Sequence, residues 1–137
     1  MKKILLYTFS FFVLTGCTQG IYKWNGYDNA LYQYYKAPGE KDKFVERLHT
    51  IITEGEGTNN VPPGIYAEYG YVQYESGNYV DAEKYFQKEY DRWPESRVIM
   101  SKMIQNAKMS HERENNKKVE EVNDIEKIQN TNAKENL

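Results

Sequence analysis

The order of apolar and polar positions predicts helices through the middle of the chain. Between residues 28 and 94, apolar side chains recur every three or four residues, which is the period of a helix with one buried face. Pro38-Gly39 and Gly77-Asn78 interrupt this pattern, and both pairs are typical of turns. A further apolar stripe follows Pro94. We therefore predict an all-α domain over residues 22–110, with about five helices arranged as antiparallel hairpins.

The second predicted hairpin has the spacing of small and large residues that is typical of a tetratricopeptide (TPR) repeat. Gly70 and Ala82 lack bulk where the two helices of such a repeat approach each other. Two positions depart from the pattern, because Gln73 stands where an aromatic residue is usual and Glu89 where alanine is usual. The matching positions are Tyr66, Tyr69, Gly70, Gly77, Tyr79, Ala82, Phe86 and Pro94. The hairpins are therefore expected to be TPR-like, a fold typical of binding scaffolds.

Residues 1–16 have the layout of a bacterial signal peptide. Lys2 and Lys3 precede an apolar run that ends at Leu14 and is too short to cross a bilayer as a helix. Residues 14–17, Leu-Thr-Gly-Cys, resemble a lipobox, after which the cysteine becomes the first mature residue and is acylated. We expect lipid on Cys17 and a short tether over residues 17–21. An ordinary secretory signal with a chance cysteine is the alternative.

The residue after the cysteine indicates the membrane in which the protein is anchored, and the overall charge bears on its partners. In Gram-negative bacteria, aspartate at that position commonly retains a lipoprotein in the inner membrane, whereas this chain has Thr18. We therefore expect the periplasmic face of the outer membrane. The 18 basic and 20 acidic residues nearly balance, which argues against a nucleic-acid partner because such binding depends on neutralising phosphates. With one cysteine, the chain forms no internal disulfide.

Residues 111–137 differ in composition from the predicted domain. They are rich in Glu, Asn and Lys, and they contain no aromatic residue. Apolar residues at positions 119, 122, 125 and 128 recur every three residues, a spacing that drifts around a helix and makes a poor packing face. We expect disorder or a frayed helical extension, with a segment that folds on a partner as the alternative. The apolar stripe before the tail, which includes Met103, is expected to cover the last repeat. A methionine-rich partner groove formed by Met100, Met103 and Met109 is the alternative.

Aromatic, proline and glycine motifs recur through residues 17–103. They are Trp24, Tyr27-Asp28, Leu31-Tyr32, Tyr35-Lys36, Pro38-Gly39, Val61-Pro62-Pro63-Gly64, Gly70-Tyr71 and Trp93-Pro94-Glu95-Ser96. Together they resemble a group of small bacterial outer-membrane lipoproteins that is catalogued as a domain of unknown function, family number 4810. Genes of that group often lie beside one for a lipoprotein similar to CsgG, the curli-secretion pore. The resemblance therefore implies an accessory role in a cell-envelope complex and no catalytic residue.

No group of residues in the sequence supports catalysis or metal binding. His49 and His111 lie on different predicted elements, and the single cysteine is expected to carry lipid. We therefore predict that the protein is not an enzyme, binds no metal and has no cofactor other than the covalent lipid on Cys17. A carboxylate pair in a peptidoglycan-acting enzyme, such as Asp81 with Glu83, is the minor alternative.

The predicted partner-binding surface lies on the first helix of the TPR-like hairpin. In such a hairpin this helix lines the concave face, and here that side has Ala67, Tyr71, Tyr74 and Glu75. Tyrosines offer a large contact area at modest entropic cost, although these could instead pack against residues 28–54 or stack on glycan rings. We expect a scaffold for another envelope protein, with a CsgG-like lipoprotein as the candidate partner. A peptidoglycan-binding or hydrolytic protein, and a lipoprotein that stabilises the membrane with no single partner, are the alternatives.

Overall fold

The computed structural model describes the backbone of residues 21–135 and the side chains of residues 21–127. The predicted signal peptide, Cys17 and most of the predicted tether lie outside the described residues. The described part contains five helices and no strand. The helices are α1 (Tyr27–Lys36), α2 (Lys41–Gly57), α3 (Ile65–Glu75), α4 (Tyr79–Arg92) and α5 (Arg97–Glu135), and the short 3₁₀ turns Pro38–Glu40 and Pro94–Ser96 precede α2 and α5. The predicted all-α fold of TPR-like hairpins with about five helices is confirmed.

The helices form two antiparallel hairpins, α1–α2 and α3–α4, and α5 packs along α4. The turn between α3 and α4 requires a left-handed residue, and Gly77 supplies it with φ 80°. Gly64 takes the same conformation directly before α3, with φ 86°. These glycines allow the chain to reverse within a few residues, as the hairpin geometry requires.

Two apolar clusters hold the helices together, and α3 contributes to both. The first joins α1, α2 and α3, and its buried members are Phe44, Leu48, Ile51, Ile52, Val61, Ile65, Tyr66, Tyr69 and Val72. The second joins α3, α4 and α5, and its buried members are Ala82, Phe86, Met100 and Ala107. Met103 packs against the second cluster. The first part of α5 therefore covers the α3–α4 hairpin, with Met100 buried in the core and Met103 half-buried against it.

The TPR-like pattern places its smallest residue where α3 and α4 approach most closely. A Cβ atom added to Gly70 would lie 2.8 Å from Phe86 Cδ1 and 3.2 Å from the carbonyl oxygen of Ala82. Both Phe86 and Ala82 are buried. Small residues at positions 70 and 82 therefore allow α3 and α4 to pack closely, as the TPR-like pattern predicts.

The second half of α5 extends the helix beyond the bundle. It continues without a break to Glu135, and the side chains of residues 115–127 are exposed. Residues 111–135 therefore take the form of a helical extension, one of the two forms expected for the tail. Among the described residues, no helix combines the length and the apolar character needed to cross a membrane.

Candidate partner-binding surface

The structure separates the four residues of the predicted surface into two pairs. Tyr74 is half-buried, its ring lies edge-on to Tyr79 at 5.3 Å, and its hydroxyl shares a 3.0 Å hydrogen bond with Ser110 Oγ on α5. Ala67 is also half-buried and packs against the second apolar cluster. Tyr71 and Glu75, in contrast, are exposed. Only the second pair is open to a partner, because α5 packs over the side of α3 that carries the first pair.

Tyr71 is an exposed aromatic ring with a charged neighbour, Glu75. It retains 48% of its surface exposure. A hydrogen bond to the Glu75 carboxylate, together with the negative charge of that group, raises the pKa of the Tyr71 hydroxyl. Glu75 also pairs with Lys41 Nζ of α2 at 3.7 Å. The Tyr71 ring therefore projects from α3 beside the charged residues Glu75 and Lys41. Protein interfaces commonly have an aromatic centre and a polar rim of this kind.

Helix α1, on the neighbouring hairpin, carries exposed aromatic residues of its own. Its inner side packs on the first cluster, where the Tyr34 ring stacks on Phe44 with centroids 5.1 Å apart. Its outer side carries Leu31, Tyr32 and Tyr35, which are all exposed. Residues three and four apart share a helix face, so these three side chains form one stripe. We define Tyr71, Glu75 and this stripe as the aromatic face of the protein.

Two tyrosine–carboxylate pairs fix the hairpins relative to each other. The Tyr27 hydroxyl donates to Glu68 Oε2 at 2.5 Å and links α1 to α3. The Tyr66 hydroxyl donates to Glu56 Oε1 at 3.0 Å and links α3 to α2. Burial raises the pKa of Glu68 and of both tyrosines, and the carboxylate partners raise the tyrosine pKa values further. These carboxylates therefore link helices within the fold.

Lys88 of α4 is a second partner of Glu56, besides Tyr66. Its Nζ donates to Glu56 Oε1 at 2.6 Å and lies 5.2 Å from the centre of the Tyr85 ring. The hydrogen bond from Lys88 is the main reason that the pKa of Glu56 lies below its ordinary value. The group joins α2, α3 and α4 through one carboxylate.

Glu89, the departure from the TPR pattern, is a fully buried carboxylate. Its Oε1 accepts hydrogen bonds from the Gly64 amide at 2.9 Å and from Ser96 Oγ at 3.2 Å. The carboxylate therefore caps the start of α3 and ties it to the turn between α4 and α5. Burial raises the pKa of Glu89, and this effect outweighs the opposing effect of its hydrogen bonds. Sequence reasoning noted the departure but did not assign this role.

Glu89→Gln is expected to weaken the pH dependence of stability. Because the pKa of Glu89 is raised in the folded state, protonation stabilises the fold at low pH, and this contribution is lost as the pH rises through the folded-state pKa. Glutamine does not titrate, so the fall in unfolding free energy between pH 5 and pH 7 should be smaller than in the unmodified chain. Urea unfolding at both pH values measures the difference. Glu95→Gln, on an exposed turn residue, is the control, and equal pH slopes for all three proteins would contradict the role of Glu89.

The family assignment follows from the extent of the match to a family model. The model for Domain of unknown function (DUF4810) matches residues 21–103. The chain belongs to the DUF4810 family. No curated protein and no solved structure matches the chain. The matched region of this DUF4810 protein runs from the first described residues through both hairpins to the beginning of α5, and so includes the whole aromatic face.

The described part of this DUF4810 protein contains no group of three His, Cys, Asp or Glu side chains arranged to hold a metal ion. The two histidines lie apart, since His49 is on α2 with its ring 5.9 Å from that of Tyr69, and His111 is on α5 beside Asn115. Asp81 and Glu83 lie on α4, and Glu83 pairs with Lys108 Nζ at 3.3 Å. The feature that most resembles a functional site is therefore the aromatic face.

Proposed function

We propose that this protein is a lipid-anchored scaffold that binds another protein of the cell envelope. It acts at the periplasmic face of the outer membrane, as an accessory subunit of an envelope complex. The proposal combines the lipobox-like motif that ends at Cys17 with the TPR-like hairpins and their exposed aromatic face. A CsgG-like lipoprotein is the first candidate for the partner, from the resemblance described above.

The observation that carries the proposal is the exposure of Tyr71 in a structured setting. Its backbone lies within a helix, and the nearby Glu75 carboxylate raises the pKa of its hydroxyl. A side chain that is already ordered loses little conformational freedom on binding, which favours it as an interface residue. The stripe on α1 adds further exposed aromatic area on the neighbouring hairpin. Helical-hairpin scaffolds use such residues to bind partners without catalysing a reaction.

Lipid anchoring supports scaffolding by confining the domain to a surface. Several acyl chains hold a protein to a bilayer durably, whereas one chain binds only marginally. A protein confined in this way meets other membrane-anchored proteins at a raised effective concentration. A modest contact area on the aromatic face is then sufficient for a stable complex.

The proposal is tested by affinity capture from crosslinked cells, read by mass spectrometry. Tyr71→Ala is expected to reduce recovery of the partner by at least about tenfold, the loss that a tyrosine at the centre of an interface typically causes. Cys17→Ala is expected to abolish recovery, because the domain leaves the membrane. Val80→Ala, at an exposed position on α4, should leave recovery unchanged.

The capture experiment also separates this function from its alternatives. Tyr74 is kept intact, because it packs against α4 and α5 and its loss would confuse binding with folding. Unchanged recovery with Tyr71→Ala, in a protein of unchanged helicity, would remove the aromatic face as the binding site. Recovery of sacculus fragments in place of a protein would assign the exposed tyrosines to glycan binding.

A further inference from the structure

The first described residues lie at one end of the helix bundle. The carbonyl oxygen of Ile21 accepts a 3.0 Å hydrogen bond from Asn60 Nδ2, just beyond the end of α2. The Tyr22 ring lies edge-on to Trp93 at 5.8 Å, just beyond the end of α4. Helix α5 begins four residues later, at Arg97. We call this end of the bundle, defined by Ile21, Tyr22, Asn60, Trp93 and Arg97, the anchor end.

Helix α5 leaves the bundle at the opposite end. It runs antiparallel to α4, as the ion pair between Lys108 Nζ and Glu83 at 3.3 Å shows. Ser110 then meets Tyr74 close to the turn that joins α3 to α4. We call this the distal end. The helix continues from residue 111 to Glu135, and a rise of about 1.5 Å per residue carries it roughly 37 Å further.

Four exposed apolar side chains occur at the anchor end. They are Ile21, Trp24, Val98 and Ile99, of which Ile21, Val98 and Ile99 are 79%, 72% and 64% exposed. Val98 and Ile99 lie in the first turn of α5, where Cα–Cβ bonds tilt toward the helix N-terminus and so toward the anchor end. Trp24 lies just before α1, with its ring 5.5 Å from that of Tyr27. We call these four residues the basal patch.

We propose that the basal patch rests on the phospholipid bilayer, so that the domain stands on its anchor end and α5 projects away from the membrane. This inference rests on the proposed function, because it takes Cys17 as the point of lipid attachment. Cys17 precedes Ile21 by four residues, and an extended chain spans at most about 3.6 Å per residue. The acylated residue therefore lies within about 14 Å of the patch.

The short tether is what favours a bilayer over a protein as the occupant of the basal patch. A bilayer held within this distance faces the anchor end directly, and a protein partner would have to fit between the two. Tryptophan and aliphatic side chains at a membrane surface bury apolar area among the headgroups and upper acyl chains. The basic residues Lys23 and Arg97 share this end with the acidic Glu95. We therefore expect docking to depend on apolar contact more than on anionic lipid.

Standing on the anchor end has a consequence for the rest of the protein. Helix α3 starts at the anchor end and runs toward the distal end, so Tyr71 is raised above the membrane surface. The exposed residues Val119, Val122 and Ile125 of α5 lie farther out still. The aromatic face is then open to a partner that is anchored in the same membrane.

The inference is tested with the mature chain attached to vesicles through its only cysteine. The purified, unacylated protein beginning at Cys17 is coupled to maleimide-headgroup lipid in vesicles of phosphatidylethanolamine and phosphatidylglycerol with brominated acyl chains. Bromine quenches tryptophan at short range, and Trp93→Phe leaves Trp24 as the only reporter. We expect Trp24 to lose about half or more of its emission relative to vesicles without bromine, because its ring lies at the interface.

Two charged variants decide whether the basal patch is responsible. Val98→Asp with Ile99→Asp should abolish the quenching of Trp24, because charge is expelled from the apolar layer. Val80→Asp, at an exposed position near the distal end, should leave the quenching intact. All of these positions are exposed, and circular dichroism checks that each variant remains helical. An unquenched Trp24 in the coupled protein, or the same response from both variants, would overturn the proposal.

The coupling chemistry also keeps this test separate from that of the proposed function. Because the maleimide bond replaces acylation, docking is measured whether or not cells acylate Cys17. Failure of cells to incorporate labelled palmitate at Cys17 would count against the lipid-anchored scaffold. A basal patch that stays away from lipid on vesicles but is shielded by a protein in crosslinked cells would overturn the bilayer as its occupant.

Discussion

Phe86→Ala is expected to lower the free energy of unfolding by about 3–5 kcal/mol, the range typical of large-to-alanine changes in a core. Phe86 is 1% exposed and belongs to the cluster that joins α3, α4 and α5. Its ring also lies within 3 Å of where a Cβ on Gly70 would be, so it fills the space beside that glycine. Truncation leaves a cavity that neighbouring helices cannot fully close. Urea unfolding followed by circular dichroism measures the loss.

A control and a double mutant show whether the loss comes from this contact. Tyr71→Ala removes an exposed ring from the same hairpin and should change stability by about 0.5 kcal/mol or less. Gly70→Ala should destabilise the protein on its own, because its Cβ would approach Phe86 Cδ1 at 2.8 Å. It should cost much less when combined with Phe86→Ala, since the clashing ring is then gone. Simple additivity of the two changes would contradict this packing.

Replacing two glycines of α2 by alanine is expected to change the stability of the protein in opposite directions. A Cβ on Gly55 would lie 2.7 Å from Val61 Cγ2 and 2.9 Å from Val61 Cα, and the backbone atom cannot move aside cheaply. Gly55→Ala should therefore destabilise the protein by about 1–3 kcal/mol. A Cβ on Gly57 would meet nothing within 4 Å, so Gly57→Ala should stabilise the protein by up to about 1 kcal/mol through helix propensity.

The glycine pair is informative because both substitutions are chemically identical and two residues apart. Thermal or urea unfolding of the two variants gives the difference directly. Stabilisation by both would mean that the segment around Val61 does not pack against α2 as the structure shows. Destabilisation by both would mean that the end of α2 is not a regular helix in solution.

The hairpin could be predicted from sequence because its pattern depends on side-chain size. Gly70 and Ala82 are small where two helices meet, and Phe86 fills the adjacent space. This spacing can be recognised in a single sequence, because the two helices that pack together are adjacent along the chain. The turn at Gly77 is visible for the same reason, because a left-handed residue favours glycine.

The binding surface was harder to predict, because exposure depends on a helix that is distant in sequence. Helical spacing places Tyr71 and Tyr74 on the same side of α3, but it cannot show which of them another helix covers. Ser110 of α5 meets Tyr74, although 36 positions separate the two residues. The exposed stripe on α1 was hard to predict for another reason, because tyrosines occur on both the inner and the outer side of this helix. Apolar periodicity cannot separate these sides when one residue type serves both.

For Glu89 and for the tail, residue type alone did not predict the structure. A carboxylate at an alanine position suggests a departure from the repeat, and only the structure shows the Gly64 amide and Ser96 hydroxyl that it accepts from. The tail composition suggested disorder because the tail has no aromatic residue and its few apolar residues form no packing face. Residues 111–135 also lack glycine and proline and are rich in helix formers. That local preference is consistent with the continuation of α5 to Glu135.

The most direct test of the anchored-scaffold function is photo-crosslinking from position 71 in living cells. A photoreactive phenylalanine analogue replaces Tyr71 in one strain and Val80 in a control strain, each with and without Cys17→Ala. We predict one discrete crosslinked envelope protein from position 71, absent from position 80 and lost when Cys17 is replaced. Equal crosslinking from both positions, or a position-71 product that persists without Cys17, would contradict a lipid-anchored scaffold that binds its partner through the aromatic face.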